Sequence, residues 1–127
     1  LTLAELENMH IHKTGALIRA AVLLGAHAGG ADGESLSDLA RYAGRAGLLF
    51  QVVDDILDAE ASTATLGKTA GKDAVQHKPT YVSLLGIAEA KRKAAELRVE
   101  AKEALGRFEW RGARLHALTD YIAERSF

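Results

Sequence analysis

Apolar residues recur along this chain at helical rather than strand spacing. Thr2 followed by Glu5 has the S/T-x-x-E pattern of a capping box, in which each side chain satisfies the other residue's backbone N–H. A helix is therefore predicted from Leu3. Its pattern runs through Leu6, Met9, Lys13, Leu17, Ala20, Leu24 and Ala28 until Gly29-Gly30 stops it, glycine being the usual residue just past a helix end. Ser35 then caps a second helix with apolar positions at Leu36, Leu39, Ala40, Ala43, Leu49, Phe50, Val53 and Leu57. Reaching Glu60, it would be about 39 Å long at ~1.5 Å per residue, a length that suits a bundle.

Residues 61–79 break the pattern with Ser62, Thr63, Thr65, Gly67, Lys68, Gly71, Lys72, Lys78 and Pro79. They read as a loop with one short helical turn over 73–76. Beyond it come a short apolar helix over 80–86 and a strongly charged one over 87–107, with Lys91, Ala95, Glu96 and Glu100 on its solvent face. A last helix over 112–125 carries the stripe Leu115, Leu118, Tyr121 and Ile122. Phe108 and Trp110 are expected to pack the last two helices together. His10, His12, His27 and His116 are expected to be structural; His10 and His12, two apart, lie on different helix faces, a poor arrangement for a metal.

Composition sharpens the fold class. Among 127 residues there are 24 alanines, 18 leucines, one proline and only 6% aromatics, which favours long helices over a β-sandwich or barrel. The chain is predicted to be all-α, forming one core or part of one. Charge mostly excludes. Sixteen basic against seventeen acidic residues give a net charge of −1, no electrostatic footprint for nucleic acid. Zero cysteines remove disulfides and any thiolate-ligated metal. No apolar run approaches the roughly 20 residues that span a bilayer, and Glu5 and Glu7 interrupt the start before any signal-type apolar region. The expectation is a soluble, cytoplasmic protein with no membrane insertion.

The strongest chemical signal is Asp54-Asp55-Ile56-Leu57-Asp58. On a helix, positions 54 and 58 are one turn apart on one face, and 55 is three from 58. Such carboxylates repel one another by about 1 kcal/mol per close pair even in water. Two readings stand: a solvated acidic turn, or a site for Mg²⁺, a hard ion that keeps several waters and takes other ligands from a phosphate. Lys68, Lys72 and Lys78 follow within twenty residues of Asp58, and lysines beside metal-gripping carboxylates suit a phosphorylated ligand. Gly67-Lys68-Thr69 is not a P-loop, because position 62 is Ser62 and no strand precedes it. Lys13-Thr14-Gly15 places a glycine within the first helix, where it costs about 1 kcal/mol against alanine. A charged ligand pressing on the helix and a helix–helix contact both account for it.

Several words of the chain, in order, resemble the trans-prenyltransferases, the chain-elongating polyprenyl diphosphate synthases. They are His12-Lys13-Thr14-Gly15-Ala16-Leu17, the run from Gly47 through Phe50 and Gln51 to Asp58, Leu66-Gly67-Lys68-Thr69-Ala70-Gly71-Lys72-Asp73, and Lys78-Pro79-Thr80-Tyr81. Within the family the likeness is to bacterial farnesyl diphosphate synthases, with plastid geranylgeranyl diphosphate synthases sharing nearly the same words. The resemblance implies an isoprenoid-synthase helical bundle. It also implies Mg²⁺-dependent condensation of an allylic diphosphate with isopentenyl diphosphate, and a homodimer. By that likeness Asp54, Asp55 and Asp58 form the second aspartate-rich motif that holds Mg²⁺, and Lys13 and Lys68 grip the allylic diphosphate. Thr14 and Gln51 sit near the developing cation and its departing proton, Phe50 lies beside the isopentenyl site, and Lys78 falls on a recurrent lysine. The family's first aspartate-rich motif and its isopentenyl-binding residues have no counterpart in residues 1–127. The chain is therefore expected to be the C-terminal part of a single all-α prenyltransferase domain, inactive alone. Farnesyl diphosphate is the expected product. A geranylgeranyl or longer-chain synthase, or a non-catalytic helical subunit of a heteromeric synthase, are the alternatives.

Overall fold

The structure is a computed structural model that describes residues 1–66 and 79–126, with side chains through Thr63 in the first stretch. All regular structure among the described residues is helical. The order is α1 (Leu3–His12), α2 (Thr14–Ala28), α3 (Gly33–Leu66), α4 (Tyr81–Leu85), α5 (Ile87–Ala104), a 3₁₀ segment (Gly106–Gly112) and α6 (Ala113–Glu124). No described helix is long and apolar enough to cross a membrane.

Local chemistry accounts for most of the boundaries. The Thr2–Glu5 capping box forms as the sequence predicts, with Thr2 N–H donating to Glu5 Oε2 at 2.7 Å and Glu5 N–H to Thr2 Oγ1 at 3.2 Å. The first helix, however, is two helices. Lys13, at φ −96° and ψ −89°, separates α1 from α2. The expected Ser35 cap is also displaced. Asp32 Oδ1 accepts the Ser35 N–H at 2.8 Å, so α3 starts at Gly33, and Ser35 is the third helical residue rather than the cap. At its other end α3 continues six residues past Glu60, to Leu66, into what reads in sequence as loop. Thr80 and Ser83 form a second capping box at the start of α4, and Gly86, at φ 83°, turns the chain into α5.

α3 is the axle of the fold. Its Leu48, Leu49, Val52, Val53 and Ile56 make one core with Leu6 of α1, Tyr81 of α4, and Ala90 and Leu97 of α5. Nearer its start, Tyr42 and Ala46 pack with Ala101, Ala104 and Leu105. There the Tyr42 hydroxyl lies 3.1 Å from Thr119 Oγ1 and donates to the Leu115 carbonyl at 3.2 Å. Ion pairs fasten the outside. Arg98 of α5 bridges Asp120 and Glu124 of α6, and Lys93 reaches Glu7 of α1 at 2.6 Å.

Gly15 owes its place to close approach. A Cβ there would stand 3.0 Å from the His10 carbonyl oxygen, and a Cβ on Gly47 of α3 would stand 3.5 Å from Gly15 Cα. The α1–α2 break and the α2–α3 crossing thus use the same missing side chain. Gly15→Ala is expected to lower stability by about 1–2 kcal/mol, an overpacking cost against backbone, measurable as a lower urea midpoint at unchanged m-value.

Three packing expectations fail. α2 is almost wholly apolar, yet none of its residues is buried, and Leu17 and Leu24 are 75% and 71% exposed. No described element lies on that side of it. Trp110, expected between the last two helices, is 80% exposed, because the 3₁₀ segment with Glu109 at φ 51° turns it outward; Phe108 alone packs inward. Leu118 and Tyr121 are exposed as well, since α6 turns Thr119, Ile122 and Ala123 to the core instead. His27 and His12 lie on the surface, His12 bonding the Asn8 carbonyl at 2.8 Å, and among the described histidines only His10 is buried.

Candidate functional site

The three carboxylates of α3 fall into different environments because one turn of helix spans from core to solvent. Asp55 is 7% exposed. Its Oδ1 accepts from Gln51 Nε2 at 3.0 Å and its Oδ2 from the Tyr81 backbone N–H at 2.9 Å. Burial pushes the Asp55 carboxyl above its ordinary value; the Tyr81 and Gln51 hydrogen bonds and His10 draw it back down, while neighbouring Asp54 raises it. Asp55 thus ties α4 to α3 and fixes the Gln51 amide. Asp54 is half-exposed and Asp58 exposed, one turn apart on the same face.

Arg125, the residue that closes α6, lies across this face. Its side chain is 8% exposed. Nη2 donates to the Phe50 carbonyl at 3.0 Å, the guanidinium carbon stands 4.3 Å from the Phe50 ring centroid, and Nη2 is 3.9 Å from Asp54 Oδ1. One cation, which no spacing in the sequence announces, is therefore seated on Phe50 and faces Asp54.

Lys13 is exposed at the α1–α2 break, and Thr14 follows it half-buried. His10, one turn earlier, connects this break to the acidic segment. Its ring stacks on Tyr81 with centroids 5.6 Å apart. Burial lowers its pKa, Asp55 opposes that shift and Lys13 adds to it, which leaves a neutral imidazole within electrostatic reach of both. Neither ring nitrogen of His10 nor the Tyr81 hydroxyl has a hydrogen-bond partner among the described residues. Tyr81 is fully buried, and burial raises its phenol well above the ordinary value, with Glu7 and Asp55 adding to the shift. A buried unpaired hydroxyl is a liability of about 1–3 kcal/mol. Tyr81→Phe keeps the ring and is expected to raise stability by roughly 1 kcal/mol, read as a higher melting temperature.

Lys13, Thr14, Phe50, Gln51 and the three aspartates thus occupy α3 and the break beside it. Lys68 and Lys78, with Lys72 and the turn over 73–76, lie outside the described residues. Among the described residues no three His, Asp or Glu side chains gather into a metal-holding group. Mg²⁺ asks for less: it commonly takes one or two carboxylates, with waters and phosphate oxygens completing the shell. Asp54 and Asp58, hard oxygen donors open to solvent on one face, fit that donor set; Asp55, with both oxygens engaged inside, does not. A groove of about 470 Å³ runs between α3, α5 and α6, lined by Val53, Ile56, Leu57, Val99 and Ala123. Among the described residues it meets the site only at Arg125, and neither Lys13 nor Gln51 lines it, so it is not an apolar shelter for those two residues.

The sequence model of the polyprenyl synthetase family matches residues 1–109. The chain belongs to the polyprenyl synthetase family. Over 126 residues the chain is 53% identical to a chloroplastic geranylgeranyl pyrophosphate synthase of Capsicum annuum, covering 98% of itself and 34% of that protein. It is 52% identical to the corresponding enzyme of Catharanthus roseus, covering 97% of itself and 35% of that protein. A dimethylallyltranstransferase of Fischerella ambigua is 48% identical, with 99% of this chain and 36% of that one covered. The chain spans about a third of the length of these curated relatives. Its fold is similar to a crystal structure from a Marinomonas species described as a farnesyl-diphosphate synthase. The TM-score is 0.78 at 39% identity, over 98% of this chain and 41% of that one. The all-α prenyl-synthase fold expected from the sequence is therefore the observed one.

Proposed function

We propose that the full-length protein is a Mg²⁺-dependent, chain-elongating prenyltransferase that condenses an allylic diphosphate with isopentenyl diphosphate, this chain supplying one acidic face of its site. The observation that carries the reading is the split within the acidic turn. Asp54 and Asp58 stand open on one face while Asp55 is anchored beneath them and holds Gln51.

Each residue then has a task. Asp54 and Asp58 hold the metal. When bound, Mg²⁺ neutralises charge that builds on the leaving diphosphate. Lys13 and Lys68 meet the same diphosphate as its carbon–oxygen bond breaks, where a fixed cation is worth more than in water. The allylic cation left behind is attacked by the isopentenyl double bond, and the adduct, near Thr14 and Gln51, loses a proton to the released diphosphate, the C–H electron pair forming the new double bond. Phe50 lines the isopentenyl side, and Lys78 contributes to substrate binding. The protein works as a homodimer in the cytoplasm.

Farnesyl diphosphate is the product we assign from the sequence words. A geranylgeranyl product is the second reading, favoured by the identity to two geranylgeranyl pyrophosphate synthases. The test incubates the full-length protein with Mg²⁺, an allylic diphosphate and labelled isopentenyl diphosphate, then separates the dephosphorylated products by chain length. Turnover supports the reaction class and the chain length decides between the products. No turnover with Mg²⁺ present leaves a non-catalytic helical subunit and ends the enzyme reading.

A further inference from the structure

We propose that Arg125 is a built-in counter-ion that makes the acidic face select a metal–diphosphate complex over the bare cation. The inference rests on the reading of Asp54 and Asp58 as the metal-holding pair.

The geometry keeps a positive charge at one end of that pair whether or not a ligand is bound. The backbone N–H of Arg125 donates to the Tyr121 carbonyl at 3.0 Å, and its extended conformation, φ −61° and ψ 153°, ends α6 there. The side chain then crosses back to α3, where two contacts independent of Asp54 fix it: the 3.0 Å hydrogen bond to the Phe50 carbonyl and the Phe50 ring beneath the guanidinium. Arginine is suited to this, since its planar, weakly hydrated group stacks on aromatics and never loses its charge. That carbonyl belongs to the turn that Asp54 closes, residue 50 accepting from residue 54 in helical geometry. The Asp54 carboxylate is left 3.9 Å away, beyond hydrogen-bond range, so the two attract without being latched.

A guanidinium at that distance has opposite effects on two ligands. A bare divalent cation approaching Asp54 is repelled by Arg125 and competes with it. A metal carrying a diphosphate brings net negative charge, which the same guanidinium attracts. Arg125 therefore favours arrival of the metal together with the substrate's diphosphate. A role confined to packing would move both affinities the same way.

The test is isothermal titration of the full-length protein with Mg²⁺ alone, and separately with an equimolar mixture of Mg²⁺ and inorganic pyrophosphate, whose one-to-one complex keeps a net negative charge. The variants are Arg125→Gln, which retains a donor for the Phe50 carbonyl, and Arg125→Lys, which retains the charge. Arg125→Gln is expected to bind Mg²⁺ roughly five- to tenfold more tightly and Mg²⁺–pyrophosphate more weakly by a similar factor. Arg125→Lys stays near the unsubstituted protein on both, and the gain in Mg²⁺ affinity vanishes in an Asp54→Asn background, as a double-mutant cycle requires of a direct pair. Shifts of the same sign, or none, overturn the inference while leaving the acidic site intact. Should Asp54→Asn alone leave both affinities unchanged, the reading of the site falls, and the inference with it. If Arg125→Gln does not fold by circular dichroism, Arg125→Met, which keeps the apolar stem on Phe50, takes its place under the same criteria.

Discussion

Asp54→Asn in the full-length protein is expected to lower prenyl transfer at saturating Mg²⁺ by roughly 10²–10³-fold, the usual cost of removing one preorganised electrostatic stabiliser, while hardly changing the melting temperature. The asymmetry follows from the position of Asp54. It is half-exposed and its partner Arg125 is held by the Phe50 carbonyl and ring, so the exposed half of the pair contributes roughly 0.2–1 kcal/mol to the fold. Its larger value is as one of two hard oxygens that can face a metal together. Asparagine preserves the shape and loses the charge, so catalysis responds and packing does not. The check is kcat at saturating substrate and Mg²⁺, with a thermal melt alongside. An unchanged kcat would remove Asp54 from the machinery.

What the sequence made legible was local. The Thr2–Glu5 capping box and the helix stop at Gly29-Gly30 depend on neighbours within a turn, and both appear where spacing placed them. Ambiguity came where two residues could serve equally: Asp32 and Ser35 are both good caps, and the one three residues ahead of a free N–H took the role. The break at Lys13 was written only as Gly15, a glycine whose close approach to His10 and Gly47 can be seen once both helices are in place. Apolar stripes were weaker guides still. Leu17, Leu24 and Trp110 fit helical or packing patterns and stay exposed, because periodicity marks a face without saying what lies against it.

The site divides in the same way. That Asp54 and Asp58 share a helix face was readable from their numbers. That Asp55 differs from them in kind was not, because the difference is made by partners far along the chain. Tyr81 arrives from 26 positions away to occupy Asp55, and Arg125 from 75 positions away to reach the Phe50 carbonyl. No periodicity encodes such meetings; they are products of how α4 and α6 pack on α3.

Asp55→Ala is therefore expected to act on the fold first, lowering stability by about 3 kcal/mol, since it strands the buried Tyr81 N–H and frees the Gln51 amide, each a loss of about 1–3 kcal/mol, partly offset by no longer burying a carboxylate. That is a large part of the 5–15 kcal/mol typical of a whole domain. Denaturant unfolding of the full-length protein measures it, and a loss under about 1 kcal/mol would mean the two hydrogen bonds are incidental. Asp55→Asn separates charge from shape through pH. The folded carboxyl titrates above its unfolded value because it is buried, so between those two values the native state holds a proton that the unfolded state releases. Stability then rises as pH falls through that window. Asp120 runs the other way: hydrogen bonds from Lys102 and Arg98 depress it, and its contribution is lost as pH falls through its lowered value. Asparagine at position 55 removes only the first effect. Its deficit relative to the aspartate protein should consequently widen on going from neutral pH towards the ordinary carboxylate range near pH ~4. A deficit that narrows would show that Asp55 is held in the native state as a favoured carboxylate, and would return it to the list of groups free to hold a metal.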